Sequence, residues 1–194
     1  PSVLVSASAV GYYGNRGEDR LDESSGPGSG FLAEVCQQWE AATTPARDAD
    51  IRVVNLRIGV VLSGKGGAVA QMLTPFRLGL GGVLGSGRQY LSWIALDDLV
   101  RVIQFVLQAA AIAGPVNAVA PQSVTNREFT KMLGRVLRRP TFMAMPATAA
   151  RLAFGEMADE MLLSSARVEP HALAAAEFPF EYSQLESALR HVLT

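Results

Sequence analysis

The run Val3, Leu4, Val5 followed by Ser6, Ala7, Ser8, Gly11 and Gly14 constrains the fold more than any other feature of the chain. A short apolar run that opens into small residues and glycines reads as a strand ending in a loop. Successive apolar residues imply burial of both strand faces, the condition of a parallel sheet covered by helices on each side. Such a strand needs neighbours, and its place at the start of the sequence suggests that some come from residues not included in it. Ligands of parallel sheets bind beyond the carboxyl ends of the strands, where Ser6 and Ser8 fall. These hydroxyls serve either a ligand or the backbone groups of the loop.

From Phe31 onward, helix-like and strand-like segments alternate, the pattern of βα units on a mostly parallel sheet and hence of an α/β fold. Phe31 to Ala46 is predicted as a helix with Leu32, Val35, Cys36 and Trp39 on its apolar face. Ile51 to Leu62 reads as one strand ended by Gly64, Gly66 and Gly67, and Gly79 to Gly87 as a glycine-dense loop. After a short strand at Tyr90 to Ile94, Asp97 is expected to cap a helix whose apolar face includes Leu99, Val100, Ile103, Val106 and Leu107. Pro115 to Val119 is the next strand. Thr125 and Glu128 form a capping box for a helix that turns Phe129, Met132, Leu133 and Val136 inward and is slightly weakened by Gly134.

Beyond Pro140 the composition becomes alanine-rich and helical, from Ala147 to about Leu163. Pro170 opens a short helical piece, and Ser183 with Glu186 reads as a second capping box. No further strand is expected there. The division is therefore an α/β part over residues 1–145 and a helical appendage over 146–194.

With 49% hydrophobic and 18% charged residues among 194 and a net charge of -1, the chain has no basic stripe for nucleic acid. The apolar stretch from Val100 to Pro115 is interrupted by Arg101, Gln104 and Gln108, so no membrane span is expected, and no charged-then-apolar leader precedes it. The single cysteine, Cys36, is assigned to packing; there is no partner thiol or ligand set for a metal. A cytoplasmic location is the resulting expectation. Gly59, Gly64 and Lys65 imitate part of a phosphate-binding loop, but Gly66 replaces its Ser or Thr. The dinucleotide fingerprint GxGxxG is absent despite 18 glycines. Arg57 in an apolar strand requires an anion, either a structural carboxylate or a ligand. Arg88, in GSGRQ, is either solvated or placed to fork onto a substrate phosphate.

The segments VSASAVGYYG, FLAEVCQQWEA, NLRIGVVLSGKGG, GSGRQYLSWIALDDLVRVI, GPVNAVAPQSVTNREF and FGEMADEMLLSSARVEP together resemble one family. It is the atypical, epimerase-like branch of the short-chain dehydrogenase/reductase superfamily, labelled nucleoside-diphosphate-sugar epimerase of SulA type. The resemblance covers essentially the whole chain. It implies the C-terminal half of a Rossmann-like, doubly wound parallel sheet, a small helical C-terminal domain of unknown function, and a preceding half that carries the glycine fingerprint. It further implies a nicotinamide cofactor, NADP ahead of NAD, and NADP(H)-dependent oxidoreduction or epimerisation of a small, nucleotide-sugar-like substrate.

By the same resemblance Ser8 corresponds to the active-site serine, with Ser6 as the alternative, and Leu56, Arg57, Ile58, Gly59 and Val60 run along the nicotinamide. Arg88, Gln89 and Trp93 belong to the substrate pocket. The branch's histidine in WIHxDD is Ala95 here. Where the superfamily has its proton-transferring tyrosine and the lysine that tunes it, this chain has Phe31 and Val35, which carry no exchangeable proton and no charge. Tyr12 or Tyr13 is the candidate replacement. The alternative function is an NADP(H)-binding or sensing module without turnover. An unpaired sheet edge implies self-association or a companion segment.

Overall fold

The structure, a computed structural model, describes residues 1–155 and 158–193. Its first half holds β1 (Val3–Ala9), a 3-10 turn at Val10–Tyr13, β2 (Arg20–Leu21), α1 (Phe31–Ala41), α2 (Thr44–Asp48), β3 (Arg52–Ile58), β4 (Val60–Leu62) and α3 (Gly67–Arg77). Next come β5 (Tyr90–Leu91), β6 (Trp93–Ala95), α4 (Leu96–Gln108), β7 (Gly114–Ala118), β8 (Val124–Thr125) and α5 (Asn126–Leu137). The tail holds α6 (Ala147–Phe154), a π-helical turn at Ala158–Leu162, β9 (Arg167–Val168), α7 (His171–Ala175) and α8 (Leu185–Leu193).

The sheet is built on β3, whose Val53, Val54, Asn55, Leu56 and Arg57 are all buried. Burial on both faces requires a covering layer on each side, and β1 and β7 flank β3 in parallel in the order β1-β3-β7. Register sets Val5 beside Val54, both packed with Leu99, Val102 and Val106 of α4. Ser6 and Ser8 pair with Asn55 and Arg57 on the opposite face, where Asn55 reaches Thr43 and Arg57 reaches Glu40 of α1. The expected α/β architecture, helices on both faces of a parallel sheet, is present. Among the described residues the outer edge of β1 has no strand partner, and Leu4 on that strand is 36% exposed.

The predicted strand Ile51 to Leu62 is two strands. At Gly59 the chain leaves β7 and joins β6: Gly59 N–H donates to Ala118 O at 3.2 Å, and Val60 N–H to Ser92 O at 2.8 Å. A Cβ at Gly59 would lie 2.7 Å from Ser92 O and 2.8 Å from Val119 Cγ1, so only glycine lets the strand cross there. The predicted helix Phe31 to Ala46 also breaks in two, because the Pro45 ring cannot follow the carbonyl of Ala41 in one continuous helix.

Some helix faces are rotated from the expected ones. Val100 and Leu107 of α4 are 47% and 46% exposed while Val102 is buried, and on α1 Trp39 is 54% exposed while Ala33 is buried. The N-cap of α4 is Ala95, not Asp97, which lies inside the first turn. The second capping box does not form: α8 starts at Leu185, and the Glu186 carboxylate accepts from Arg190 at 2.7 Å. Contrary to the expectation of a purely helical tail, the tail also contributes a strand, β9, parallel to β2. Leu185, Ala188 and Leu189 of α8 share one core cluster with Leu62, Trp93, Phe129 and Leu133.

The first capping box is present: Thr125 Oγ1 accepts from Glu128 N–H at 3.2 Å, and the Glu128 carboxylate accepts from Thr125 N–H at 2.8 Å. Thr125→Ala is expected to cost about 1 kcal/mol in urea denaturation. Gly134 has a tertiary role rather than a purely local cost. Its Cβ would meet Thr141 Cγ2 at 2.3 Å and Arg139 O at 2.9 Å, where the chain folds back over α5. Gly134→Ala is therefore expected to destabilise by about 1–3 kcal/mol, opposite in sign to the helix-propensity gain. A rise in urea midpoint would contradict this close approach.

Candidate functional site

At the carboxyl ends of β1 and β3 a buried polar network gathers side chains from β1, the turn after it, α1, β3 and β7. The Arg57 guanidinium donates Nε to Glu40 Oε1 and Nη2 to Glu40 Oε2, both at 2.9 Å, a bidentate pair. Its Nη1 donates to the Tyr13 phenol oxygen at 3.0 Å, and the Tyr12 ring lies against the guanidinium with its centroid 3.5 Å from Cζ. Ser8 Oγ donates to Glu40 Oε1 at 2.8 Å. The Tyr13 hydroxyl in turn reaches Asn117 Oδ1 at 2.7 Å and Asp22 O at 2.9 Å. Asn117 extends the network to the tail through its Nδ2, which donates to Glu169 O at 3.0 Å.

Burial alone works against the charge on Arg57, but the hydrogen bonds it donates to Glu40 and Tyr13 outweigh it and hold its pKa above the ordinary guanidinium value. Burial raises the Tyr13 phenol pKa, and the Arg57 hydrogen bond only partly offsets that. The folded protein therefore keeps a proton that the unfolded chain releases near pH about 10. This contribution is full below that pH and declines as pH rises above it. Tyr13→Phe is expected to lose less stability than the parent between about pH 9 and about pH 11 in urea denaturation. Equal pH slopes would place the Tyr13 proton elsewhere.

The sequence candidates separate into groups. Ser8, Tyr12, Tyr13 and Arg57 join the network, and Ser8 and Tyr13 are 5% and 0% exposed with their hydroxyls already bonded. Ser6 is half-buried on the same strand face, beside Asn55. Phe31 opens α1 with 69% of its surface exposed, and Gly11 of the neighbouring turn packs against Leu32. Leu56 is buried under α4, Ile58 and Val60 are half-buried, and Gly59 is the strand crossing. Arg88 and Gln89 line a cleft of about 350 Å³ with Gly17, Glu18, Ser86 and Ser165. Arg88 pairs across it with Glu18 at 3.1 Å. Trp93 does not join them, being fully buried in the core.

A second cleft of about 400 Å³ is lined by Arg20, Gln122, Ser123, Arg167 and Glu169, among others. Burial pushes the Cys36 thiol pKa up, in keeping with a packing role. The Gly64–Lys65 turn lies against the C-terminal helix: a Cβ at Gly64 would come within 2.3 Å of Val192 O. No metal-ligating cluster and no helix long and apolar enough to cross a membrane occur among the described residues.

Sequence reasoning misses Glu40, Asn117 and Ser165. The requirement of Arg57 for an anion signals that a partner exists, but nothing local identifies Glu40, whose neighbour Trp39 suggests an apolar face.

Residues 145–192 match the model of a domain of unknown function, DUF1731. The chain is 49% identical over 193 residues to the epimerase family protein Mb2239 of Mycobacterium bovis, covering 100% of this chain and 64% of that protein. It is 42% identical over 193 residues to the chloroplastic SDR39U1 homologue of Arabidopsis thaliana, of which it spans 55%. Among solved structures, human epimerase family protein SDR39U1 with NADPH superimposes with a TM-score of 0.92 at 36% identity, covering 100% of this chain and 65% of that one. A UDP-N-acetylglucosamine 4-epimerase from Bacillus cereus, 13% identical with a TM-score of 0.76, shares the fold. The chain thus spans less than two thirds of these relatives. The likeness along the whole chain and the domain match over its tail place it in the epimerase family proteins, the atypical epimerase-like branch of the short-chain dehydrogenase/reductase superfamily.

Proposed function

We propose that the intact protein binds NADP(H) and carries out oxidoreduction or epimerisation on a small, phosphate-bearing, nucleotide-sugar-like substrate. The observation that carries this reading is the likeness of the whole chain to human SDR39U1, whose structure contains NADPH. The residues fit one end of such a cofactor. The exposed ring of Phe31 stands at the start of α1, next to Leu32, which lies against Gly11 of the turn that follows β1; it offers a flat apolar surface to a nicotinamide, and half-buried Ser6 adds a hydroxyl. The chain spans 65% of human SDR39U1, and the pyrophosphate end of the cofactor is assigned to a segment equivalent to the part of that protein outside the match. Among the described residues the edge of β1 is unpaired and its Leu4 is exposed, which suits a further parallel strand from that segment or from a companion chain.

When bound, the cofactor would supply or accept a hydride. The chain's own residues would exclude water and orient the substrate: Arg88 to a phosphate, Gln89 and Ser86 to hydroxyls. Incubating the intact protein with NADPH and a panel of nucleotide sugars, read as loss of nicotinamide absorbance or as epimer formation, tests this. Turnover supports catalysis. A second reading, NADP(H) binding without turnover, is favoured by Phe31 having no exchangeable proton and by the commitment of the Ser8 and Tyr13 hydroxyls to buried partners. Saturable binding with no product across the panel selects it.

A further inference from the structure

The tail segment 160–168 passes between the two loops that form the smaller cleft, and Ser165, 6% exposed, lies where they meet. Its carbonyl accepts from Arg16 N–H at 2.8 Å, and its own N–H donates to Asn15 Oδ1 at 3.3 Å. Its hydroxyl donates to Gly17 O and accepts from Tyr90 N–H at 2.9 Å. One side chain thus joins the loop that carries Glu18 to the strand just after Arg88 and Gln89. Close by, Gln89 Nε2 lies 3.1 Å from Leu84 O and 3.2 Å from Leu162 O, a second tie between the tail and the same wall. The tail also reaches α1: Glu160 Oε2 accepts from Leu32 N–H at 3.4 Å, and a Cβ at Gly30 would come within 2.7 Å of this carboxylate.

We propose that Ser165 is a positioning residue that holds the two walls of this cleft together. The need is specific to a hydroxyl, which has one proton for Gly17 O and a lone pair for Tyr90 N–H. Alanine would leave both groups unpaired while the backbone bonds of residue 165 remain. Because Glu18 and Arg88 face each other from the two walls, spreading the walls separates the guanidinium from the groups it works beside. The choice of a phosphate-bearing ligand rests on the proposed function; the joining of the walls does not.

The test uses amide hydrogen exchange and UDP-glucose as the probe, both on the intact protein. Ser165→Ala is expected to speed exchange at Tyr90 about tenfold while β3 keeps its protection, and to weaken UDP-glucose binding about tenfold. Ser165→Thr, which retains the hydroxyl, is expected to restore both. Unchanged exchange at Tyr90, or an equal loss of protection across β3, would overturn the positioning role. So would undiminished UDP-glucose affinity in a variant that opens locally. If the parent protein binds no UDP-glucose, the nucleotide-sugar reading fails, and the exchange measurement still decides whether Ser165 joins the walls.

Discussion

Arg57→Met is expected to destabilise the protein by about 3–5 kcal/mol, because it leaves the Glu40 carboxylate charged, nearly buried and without its guanidinium. The Arg57 and Glu40 side chains are only 4% and 13% exposed, so solvent cannot take over the lost interaction. Glu40→Leu is expected to cost a similar amount by stranding the guanidinium between Tyr12 and Tyr13. Removing both charges together should cost less than the sum, since a buried pair is replaced by apolar volume. Arg57→Lys should rescue little, as an ammonium cannot make the two parallel bonds to Glu40 while also meeting Tyr13. Urea denaturation measures all four variants. A loss below about 1 kcal/mol for Arg57→Met would mean that the pair is effectively solvated, as exposed pairs are.

Asp98→Ala is the second large effect, about 3 kcal/mol, and it acts on how the tail is fastened. The Asp98 carboxylate, 1% exposed, accepts from Arg101 at 3.0 Å. It also accepts from the backbone N–H groups of Glu181 at 3.0 Å and Tyr182 at 2.8 Å. These two amides precede α8, whose Leu185, Ala188 and Leu189 enter the core beside Trp93. Alanine leaves both amides and the Arg101 guanidinium short of a partner. Asp98→Asn keeps one acceptor oxygen but turns an NH₂ group toward a donor, so it should recover only part of the loss. Hydrogen exchange should show α8 losing protection before β3 does. Simultaneous loss in both would mean that the tail has no separate opening.

The parts of this molecule legible in its sequence are those governed by local rules. Val3 to Val5 and the stretch from Ile51 announce strands of a parallel sheet, and Thr125 with Glu128 announces a helix start, because strand pattern and capping are written over a few adjacent residues. The family resemblance is legible for a similar reason, since its motifs are contiguous. What escapes is set by distant contacts. Gly59 looks like an ordinary strand residue until Ser92 and Val119 are brought against it, and Gly134 looks like a weak point until the chain returns over it at Thr141. Asp97 reads as the cap in sequence, and only the turn before α8 gives its neighbour Asp98 its partners. The site obeys the same division. Arg57 signals that an anion is required, but Glu40 lies on a helix face whose rotation the apolar pattern misplaces, and Ser165 acts through loops far from it in sequence.

Nicotinamide binding is tested most directly by titrating the intact protein with NADPH and following nicotinamide fluorescence. Saturable binding at micromolar concentrations, weakened by Phe31→Ala, is the expected result. Absence of binding up to millimolar NADPH, in protein whose urea transition confirms that it is folded, would contradict it.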